Sequence, residues 1–426
     1  MTIRCRFAPS PTGNVHIGNM RAAIYNWLFA RHHGGRFLLR VEDTDRERST
    51  PEAVQTVLDA MTWLGLDTDE TPVYQTTQRD VQLAAAEKLL AAGRAYKLDK
   101  GGTGKGEAIL FRMPGRDMTF RDEIKGTLHK GAADLPDFVI VRSDGNPVFH
   151  LANVVDDITM GITHVIRGDD HVENTYRHVA LFEALGAPVP TYAHLPMIVN
   201  AQGKPYSKRD GAAFVGDFQQ QGYLGEALFN YLVLLGWSPG DDREVLTREE
   251  LVALFTLDRV QSKPAQFDMK KFLWMNNEYI QRAPDAEWRR RFREVFPQAV
   301  DDAYLDQVIA LMKPRVKVWS DVATAAYFFT DEFPVDADAV AKRLHVPGAR
   351  ELLLELAAQY ERAPAFDAAT LEAILRAEAD KRGVKPAELI HPVRVAISGQ
   401  PGGPSLFHMM EVIGRDRVLR NLRREW

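Results

Sequence analysis

The chain has 426 residues, 45% of them apolar and 26% charged, with a formal net charge of −5. That is the composition of an ordinary globular protein with room for several cores. No run approaches the roughly 18 to 20 uninterrupted apolar residues of a membrane helix, and the start MTIRCRFAPS lacks the basic and apolar regions of a signal peptide. A cytoplasmic protein without membrane association is expected. Cys5 is the single cysteine, which excludes a disulfide framework or a Cys-based zinc site within one chain and leaves a buried, inert thiol.

In chain order, TIRCRFA alternates as a strand does, and the Pro/Gly loop PSPTGN follows it. In HIGNMRAAIYNWLFARHHGG the apolar residues Ile17, Met20, Ala23, Ile24, Trp27, Leu28 and Ala30 fall at helical intervals, with Gly34-Gly35 as a stop. RFLLRVE is a second strand. Strand, Gly-containing loop, helix and strand open a parallel α/β unit, in which ligands bind at the carboxyl ends of the strands.

From Ser49 to about Gly93 the pattern is helical, until GRAYKLDKGGTGKGEAILFRMP breaks it. GGTGKGE is not a phosphate loop: Asp99 stands where the first glycine is needed and Gly106 where Ser or Thr should follow Lys105. A turn between strands is expected there. Short β-like runs, EAILFRMP, DFVIVRS and PVFHLANVVDD, fill roughly residues 108–156 and read as an insertion between two halves of a nucleotide-binding fold. The strand THVIRGDDH, the helix TYRHVALFEALG and the strand AHLPMIVN restore the α/β alternation. Beyond about Asp241 amphipathic helices take over, among them EELVALF, WRRRFREVF, ARELLLELAAQY and ATLEAILRAEADKRG. The last segment, GRDRVLRNLRREW, is a helix with a basic face, read either as solvated surface or as a nucleic-acid contact.

Two loops carry the chemistry. In the first, Pro9, Pro11, Gly13 and Gly18 set a tight path, and His16 sits at the mouth of the first long helix. Helix N-terminal N–H groups attract a polyphosphate, and an imidazole can donate to a phosphate as charge builds. Taken alone, a Pro/Gly loop before a helix is commonplace. In the second loop, GKPYSKRDGA, Lys204, Lys208 and Arg209 could clamp triphosphate oxygens; an isolated basic loop is otherwise solvated surface.

Together PSPTGNVHIGN resembles the HIGH signature and PYSKR the KMSKS signature of class I aminoacyl-tRNA synthetases, in the expected order. RFAPSPTGNVHIGNMRAA, LLRVEDTDRERS, LANVVDDITMGITHVIRGDDH and FNYLVLLGWSP narrow the resemblance to the glutamyl-tRNA synthetases, over most of the chain. Bacterial glutaminyl relatives end in β-barrels, and a shortened paralogue lacks the helical tail. The resemblance implies a Rossmann-type catalytic domain in two halves (1–93 and 156–240) around an inserted acceptor-stem-binding domain (94–155). A helical stem-contact domain (241–312) and an all-helical anticodon-binding region (313–426) would follow.

The resemblance also implies roles residue by residue. Arg6 and Arg167 would bind the two glutamate carboxylates through bidentate contacts. Ser10 and Glu42 would take the α-ammonium, Asn153 a substrate carboxylate, and Phe149 stands where the family usually has a tyrosine whose hydroxyl touches the amino acid. His16, Gly18, Asn19, Lys208 and Arg209 would bind ATP, with His16 and Lys208 catalytic. Arg417, Arg420 and Arg424 would contact tRNA. Pro205-Tyr206 departs from the lysine and aliphatic residue of the second signature, and Lys204 stands one position off. Thr44 reads as a cap of the next helix. No zinc is expected, because the cysteine-rich knuckle of many relatives is replaced by KLDKGGTGKGEA, and His129 and His150 read as isolated and structural.

The implied activity is that of a glutamate–tRNA ligase using ATP and magnesium, expected as a monomer, with L-glutamate and tRNA as partners. A synthetase-like tRNA-binding or regulatory protein with weak charging, and a generic nucleotidyltransferase, are the alternatives. Phe149 and the altered second signature favour the first of these, and the helical tail disfavours the second.

Overall fold

The computed structural model describes residues 2–11, 13–45, 48–99, 106–297 and 301–426. The chain divides into two compact units, Met1–Met275 and Asn276–Trp426. Residues 100–105, most of the tract considered above as a phosphate loop and as the place of a zinc knuckle, lie outside the described residues.

The N-terminal unit begins with β1 (Arg4–Phe7), α1 (Ile17–His32), β2 (Arg36–Val41), α2 (Pro51–Trp63), β3 (Val73–Tyr74) and α3 (Arg79–Ala91). It continues through β4 (Ala95–Leu98), β5 (Ala108–Phe111), β6 (Met118–Asp122), β7 (Gly126–Lys130) and β8 (Phe138–Val141). After these come α4 (Phe149–Thr159), β9 (His164–Gly168), α5 (Val172–Leu185), β10 (Thr191–Leu195) and β11 (Ile198–Val199). The unit ends through α6 (Val215–Gln220), α7 (Gly225–Leu234), α8 (Arg248–Leu254), β12 (Ala265–Gln266) and the first half of α9 (Met269–Gln281).

Its main sheet has the order β3-β2-β1-β9-β10-β6-β7. Every neighbouring pair is parallel except the hairpin β6–β7. The two halves meet at β1–β9, where Cys5 is opposite His164. Cys5 is fully buried there, and burial pushes its thiol up to about 12, which keeps it an unreactive apolar group.

Helix α1 lies against β1 and β9 and also against α7 and α8. It buries residues all round, including Arg21, Tyr25 and Asn26, as a helix covered on several sides does. His16 is its N-cap and accepts a hydrogen bond from Gly18 N. A Cβ on Gly18 would stand 3.3 Å from that imidazole nitrogen, a tight contact that the imidazole would have to shift to relieve.

Three expectations change. PVFHLANVVDD, read above as β-like, is helical from Phe149 onward: Leu151, Val154 and Val155 enter the core shared with Leu89, Val165 and Phe182. It also buries Ala152 and three polar side chains, Asn153, Asp156 and Asp157. The cap of α2 is Thr50, which accepts from Ala53 N, and not Thr44, while Asp43 accepts from the backbone and hydroxyl of Thr76. The inserted residues, finally, are split between two sheets. β4, β5 and β8 form their own antiparallel sheet, but β6 pairs with β10 and carries the hairpin onto the main one.

The C-terminal unit is built from helices: α10 (Asp285–Val295), α11 (Asp302–Met312), α12 (Ala337–Arg343), α13 (Ala349–Glu361), α14 (Ala368–Arg382), α15 (Pro386–Ser398), α16 (Leu406–Ile413) and α17 (Arg415–Arg423). In α17 Val418, Leu419 and Leu422 are buried, the apolar stripe expected from their spacing. Among the described residues no helix is long and apolar enough to cross a membrane.

The α2–α7 contact gives a stability prediction. A Cβ on Gly225 would fall 2.2 Å from the carbonyl oxygen of Trp63, whereas one on Gly216, in α6, would meet nothing within 4 Å. Gly225→Ala should lower the unfolding free energy by about 2 kcal/mol or more. Gly216→Ala should be neutral or stabilise by up to about 1 kcal/mol. Urea unfolding of both variants checks this, and equal midpoints would contradict it.

Candidate active site

A pocket of about 510 Å³ opens at the carboxyl ends of β1, β2, β9 and β10, beside the N-terminus of α1. This is where a parallel α/β sheet binds ligands. It brings together Arg6, Ser10, His16, Gly18, Asn19, Glu42, Phe149, Asn153 and Arg167. Lys208 and Arg209 are not among its lining residues, and Arg417, Arg420 and Arg424 belong to the C-terminal unit.

Behind one wall lies a buried ionic network. Arg6 holds Asp157 with two hydrogen bonds, 3.1 Å from Nε and 3.3 Å from Nη2. Arg40, fully buried, donates to the same carboxylate and reaches Glu42 Oε1 at 3.1 Å. Burial alone would raise the Asp157 carboxyl, but Arg40 and Arg6 hold it below the ordinary range. Asp156 accepts from Gln75 and Gln82, both at 2.8 Å, and burial pushes its carboxyl up. The sequence reading missed Arg40, Gln75, Gln82, Asp156 and Asp157. Their signal was an arginine in the middle of the apolar run RFLLRV and two adjacent aspartates in LANVVDD.

Asn153 donates from Nδ2 to Glu42 Oε1 at 3.0 Å, and its Oδ1 is buried with no hydrogen-bond partner. An ionised carboxylate only accepts, so the amide nitrogen must face Glu42. The free end of Asn153 is therefore an acceptor. It suits an ammonium, not the carboxylate expected above.

Arg167 is held differently. Its Nε donates to His194 Nε2 at 3.2 Å, one Nη to His178 Nδ1 at 3.4 Å, and the other to Thr175 Oγ1 at 2.7 Å and the His171 carbonyl at 3.3 Å. A guanidinium only donates, so both imidazoles accept there and carry their protons on the opposite nitrogen. That places the His178 proton toward His150 Nδ1, 3.2 Å away, so His150 is not isolated as expected. His129 sits at the surface, 3.4 Å from Asp117. Burial draws Arg167 down to about 10, still cationic at neutral pH, and the Phe149 ring lies against His150, His171 and His178.

On the phosphate side both ring nitrogens of His16 are engaged. Nδ1 accepts from Gly18 N at 3.1 Å, so Nε2 donates to the Tyr206 carbonyl at 3.0 Å. Tyr206 is buried against Phe267. Lys208 and Arg209 lie on a short turn braced by Ser207, Asp210 and Asn200. The Lys208 ammonium rests 4.5 Å from the centre of the Phe214 ring, a cation–π contact outside the pocket lining. In the C-terminal unit Arg417 and Arg420 both reach Asp331, at 3.2 and 3.3 Å, and Arg424 reaches its carbonyl at 3.4 Å.

The histidines give a pH prediction. Burial lowers His150 from 6.5 to about 4, with Arg177 and Arg167 adding to it, and holds His178 well below its ordinary value. The unfolded chain binds these protons on acidification below 6.5 and the folded chain does not, so stability present above that value is lost as the pH falls. Melting temperatures should drop between about pH 7 and pH 5, and His150→Gln should flatten that drop. Parallel melting curves for the two proteins would contradict it.

Comparison with known proteins agrees with this geometry. The family model for the catalytic domain of class I tRNA synthetases (E and Q) matches residues 2–103 and 99–274, and that for an anticodon binding domain matches residues 279–425. The chain is 42% identical to the glutamate–tRNA ligase of Akkermansia muciniphila, over 99% of this chain and 98% of that protein. It is 40% identical to glutamate–tRNA ligase 2 of Koribacter versatilis, over 99% and 97%. The crystal structure of a glutamate tRNA ligase from Elizabethkingia meningosepticum in complex with its amino acid superposes with a TM-score of 0.84, at 30% identity and over 99% and 98% of the two chains. With both domain models matched in sequence and full-length similarity in sequence and structure, the chain belongs to the class I glutamate–tRNA ligases.

Proposed function

We propose the following division of labour for the glutamate–tRNA ligase reaction in this chain. Arg6 and Arg167 receive the two carboxylates of glutamate, and Glu42, Ser10 and the free oxygen of Asn153 receive its ammonium. The observation that carries this reading is that the buried guanidinium groups of Arg6 and Arg167 and the buried carboxylate of Glu42 border the same pocket beside the helix N-terminus, while a third buried arginine on its lining, Arg21, donates to the carbonyls of Leu235 and Pro196. A dianion with one ammonium is the complement of that set.

ATP lies along the mouth of α1, with His16, the Gly18 backbone and Asn19 toward its phosphates. Lys208 leaves the Phe214 ring and, with Arg209, closes on the triphosphate, and His16 gives up the Tyr206 carbonyl to donate to it. The glutamate α-carboxylate attacks the α-phosphorus, forming glutamyl-adenylate and releasing pyrophosphate. The terminal ribose hydroxyl of tRNA then attacks the adenylate carbonyl, giving the aminoacyl ester and AMP. The chain's contribution is positioning and electrostatic stabilisation of the charge passing to pyrophosphate. Among the described residues no group of three His, Cys, Asp or Glu side chains could hold a metal. Magnesium would therefore enter with the triphosphate and would neutralise charge on its oxygens.

Residues 94–155 hold the acceptor end, 241–312 the stem and 313–426 the anticodon. Arg420 and Arg424, on the outer side of α17, contact the tRNA backbone; Arg417, whose guanidinium also reaches the Phe328 carbonyl, serves mainly to anchor the helix. The enzyme acts in the cytoplasm as a monomer. Glutamate-dependent pyrophosphate exchange with tRNA present tests the reading against a non-charging tRNA-binding protein, which would show none.

Lys208→Ala should lower adenylate formation by about a hundredfold or more with tRNA affinity and melting temperature nearly unchanged, because its ammonium matters only as phosphate charge develops. Charging at the wild-type rate would remove Lys208 from the mechanism.

Phe149→Tyr should lower the Michaelis constant for glutamate, since a hydroxyl at this position could donate to a substrate carboxylate. The gain is at most the about 1.5 to 3 kcal/mol of a hydrogen bond to a charged group. Kinetics with glutamate varied at saturating tRNA measure it, and an unchanged or raised constant in a folded variant would move Phe149 out of the amino-acid contact set.

A further inference from the structure

Asp122 and His194 are fully buried ionisable side chains to which the mechanism above gives no role. His194 lies on β10 in register with Arg167 on β9. Asp122 ends β6, the strand by which the inserted hairpin joins the main sheet, opposite Tyr192. The Asp122 carboxylate accepts from Ile124 N at 3.0 Å and Lys125 N at 2.9 Å, so the turn of the hairpin fixes its position. It accepts also from His194 N at 3.1 Å and, at 2.6 Å, from His194 Nδ1.

We propose that Asp122 and His194 are positioning residues for the glutamate-binding arginine: the hairpin carboxylate fixes the imidazole, and the imidazole fixes the Arg167 guanidinium where a substrate carboxylate arrives. The proposal rests on the reading of Arg167 as a carboxylate binder.

The proton inventory leaves one arrangement. Arg167 Nε can only donate to His194 Nε2, so His194 carries its proton on Nδ1 and gives it to Asp122. Although burial works against it, the bond from His194 and the two turn N–H groups hold the Asp122 carboxyl below its ordinary range, while burial keeps His194 neutral. The chain of contacts is therefore carboxylate, neutral imidazole, guanidinium.

That spacing has a chemical purpose. Arg6 touches a carboxylate directly, in Asp157, and its charge is largely spent inside the protein. The Arg167 partners are two imidazole nitrogens, a hydroxyl and a carbonyl, all neutral. Placing Asp122 one imidazole away orients the guanidinium without pairing it, so its charge is available to the substrate. A second tie from the same turn, Lys125 to Asp169 at 3.0 Å, holds the segment that follows Arg167. The hairpin belongs to the stretch proposed to hold the tRNA acceptor end, so the part that meets tRNA also sets the geometry of the amino-acid site.

The test compares His194→Asn with His194→Gln in the full-length enzyme, with charging kinetics at saturating tRNA. An Asn amide can occupy the Nδ1 position and reach Asp122 but not Arg167; a Gln amide can offer its oxygen at the Nε2 position, to Arg167. His194→Asn and Asp122→Ala should raise the Michaelis constant for glutamate about tenfold or more, with kcat and the Michaelis constant for ATP nearly unchanged. His194→Gln should recover most of that loss. In an Arg167→Ala background, His194→Asn should add little, because its effect passes through the missing group.

A wild-type glutamate constant in His194→Asn, with Arg167→Ala strongly impaired, would overturn the positioning role and leave the carboxylate reading standing. Equal damage in the Asn and Gln variants, matched by lowered melting temperatures and a raised ATP constant, would overturn it in favour of a purely structural pair. An unchanged glutamate constant in Arg167→Ala would remove the underlying reading itself.

Discussion

Arg6, Arg40 and Asp157 meet where β1, β2 and α4 converge, and burying them together constrains everything around the pocket. A buried charge left without its partner costs about 3 to 5 kcal/mol. The first two strands and the helix that follows the insertion are therefore obliged to come together in one register. Glu42 and Asn153 extend the network to the pocket surface, where the Asn153 oxygen is buried without a hydrogen-bond partner. A rigid polar wall results, with side chains whose rotamers are set by hydrogen bonds as well as by packing.

The opposite wall solves a different electrostatic problem. Arg167 is surrounded by neutral acceptors and by the Tyr192 ring, 5.4 Å from the guanidinium carbon, so it is oriented but not discharged. Two arginines that look equivalent in a motif thus have different environments, one compensated inside the protein and one held open. On the proposed reading, a substrate with two carboxylates would meet unequal affinity for negative charge at these two arginines, which would favour one orientation of the amino acid over its reverse.

What the sequence could disclose was local. The loop around His16 and the turn around Lys208 could be found because their glycines, prolines and lysines act through neighbours a few residues away. α4 could not: its valines and phenylalanine favour strands, and the helix is decided by Leu151, Val154 and Val155 docking into a core made by distant elements. Asp157 stood out only as one of two adjacent aspartates in an apolar run, and its role could not be read because its partners Arg6 and Arg40 lie 151 and 117 residues away. The resting place of Lys208 on Phe214 and the His178–His150 contact are also tertiary, so the reading found the lysine but not its position and took His150 for an isolated residue. The splitting of the insertion between two sheets depends on β6 finding β10, a pairing across some seventy residues.

The separation between Arg6 and Asp157 also has a consequence in time. β1 and β2 leave the ribosome with two arginines destined for the interior, and the carboxylate that both require lies 151 residues after the first and 117 after the second. At about 5 to 20 residues per second, roughly six to thirty seconds pass before it is synthesised. Throughout that interval Arg40 has a carboxylate within its own segment, in Glu42, but the one that joins it to Arg6 is still missing. The wall of the pocket that Arg6 and Arg40 build, beside the first signature loop, therefore cannot be completed until α4 has been made.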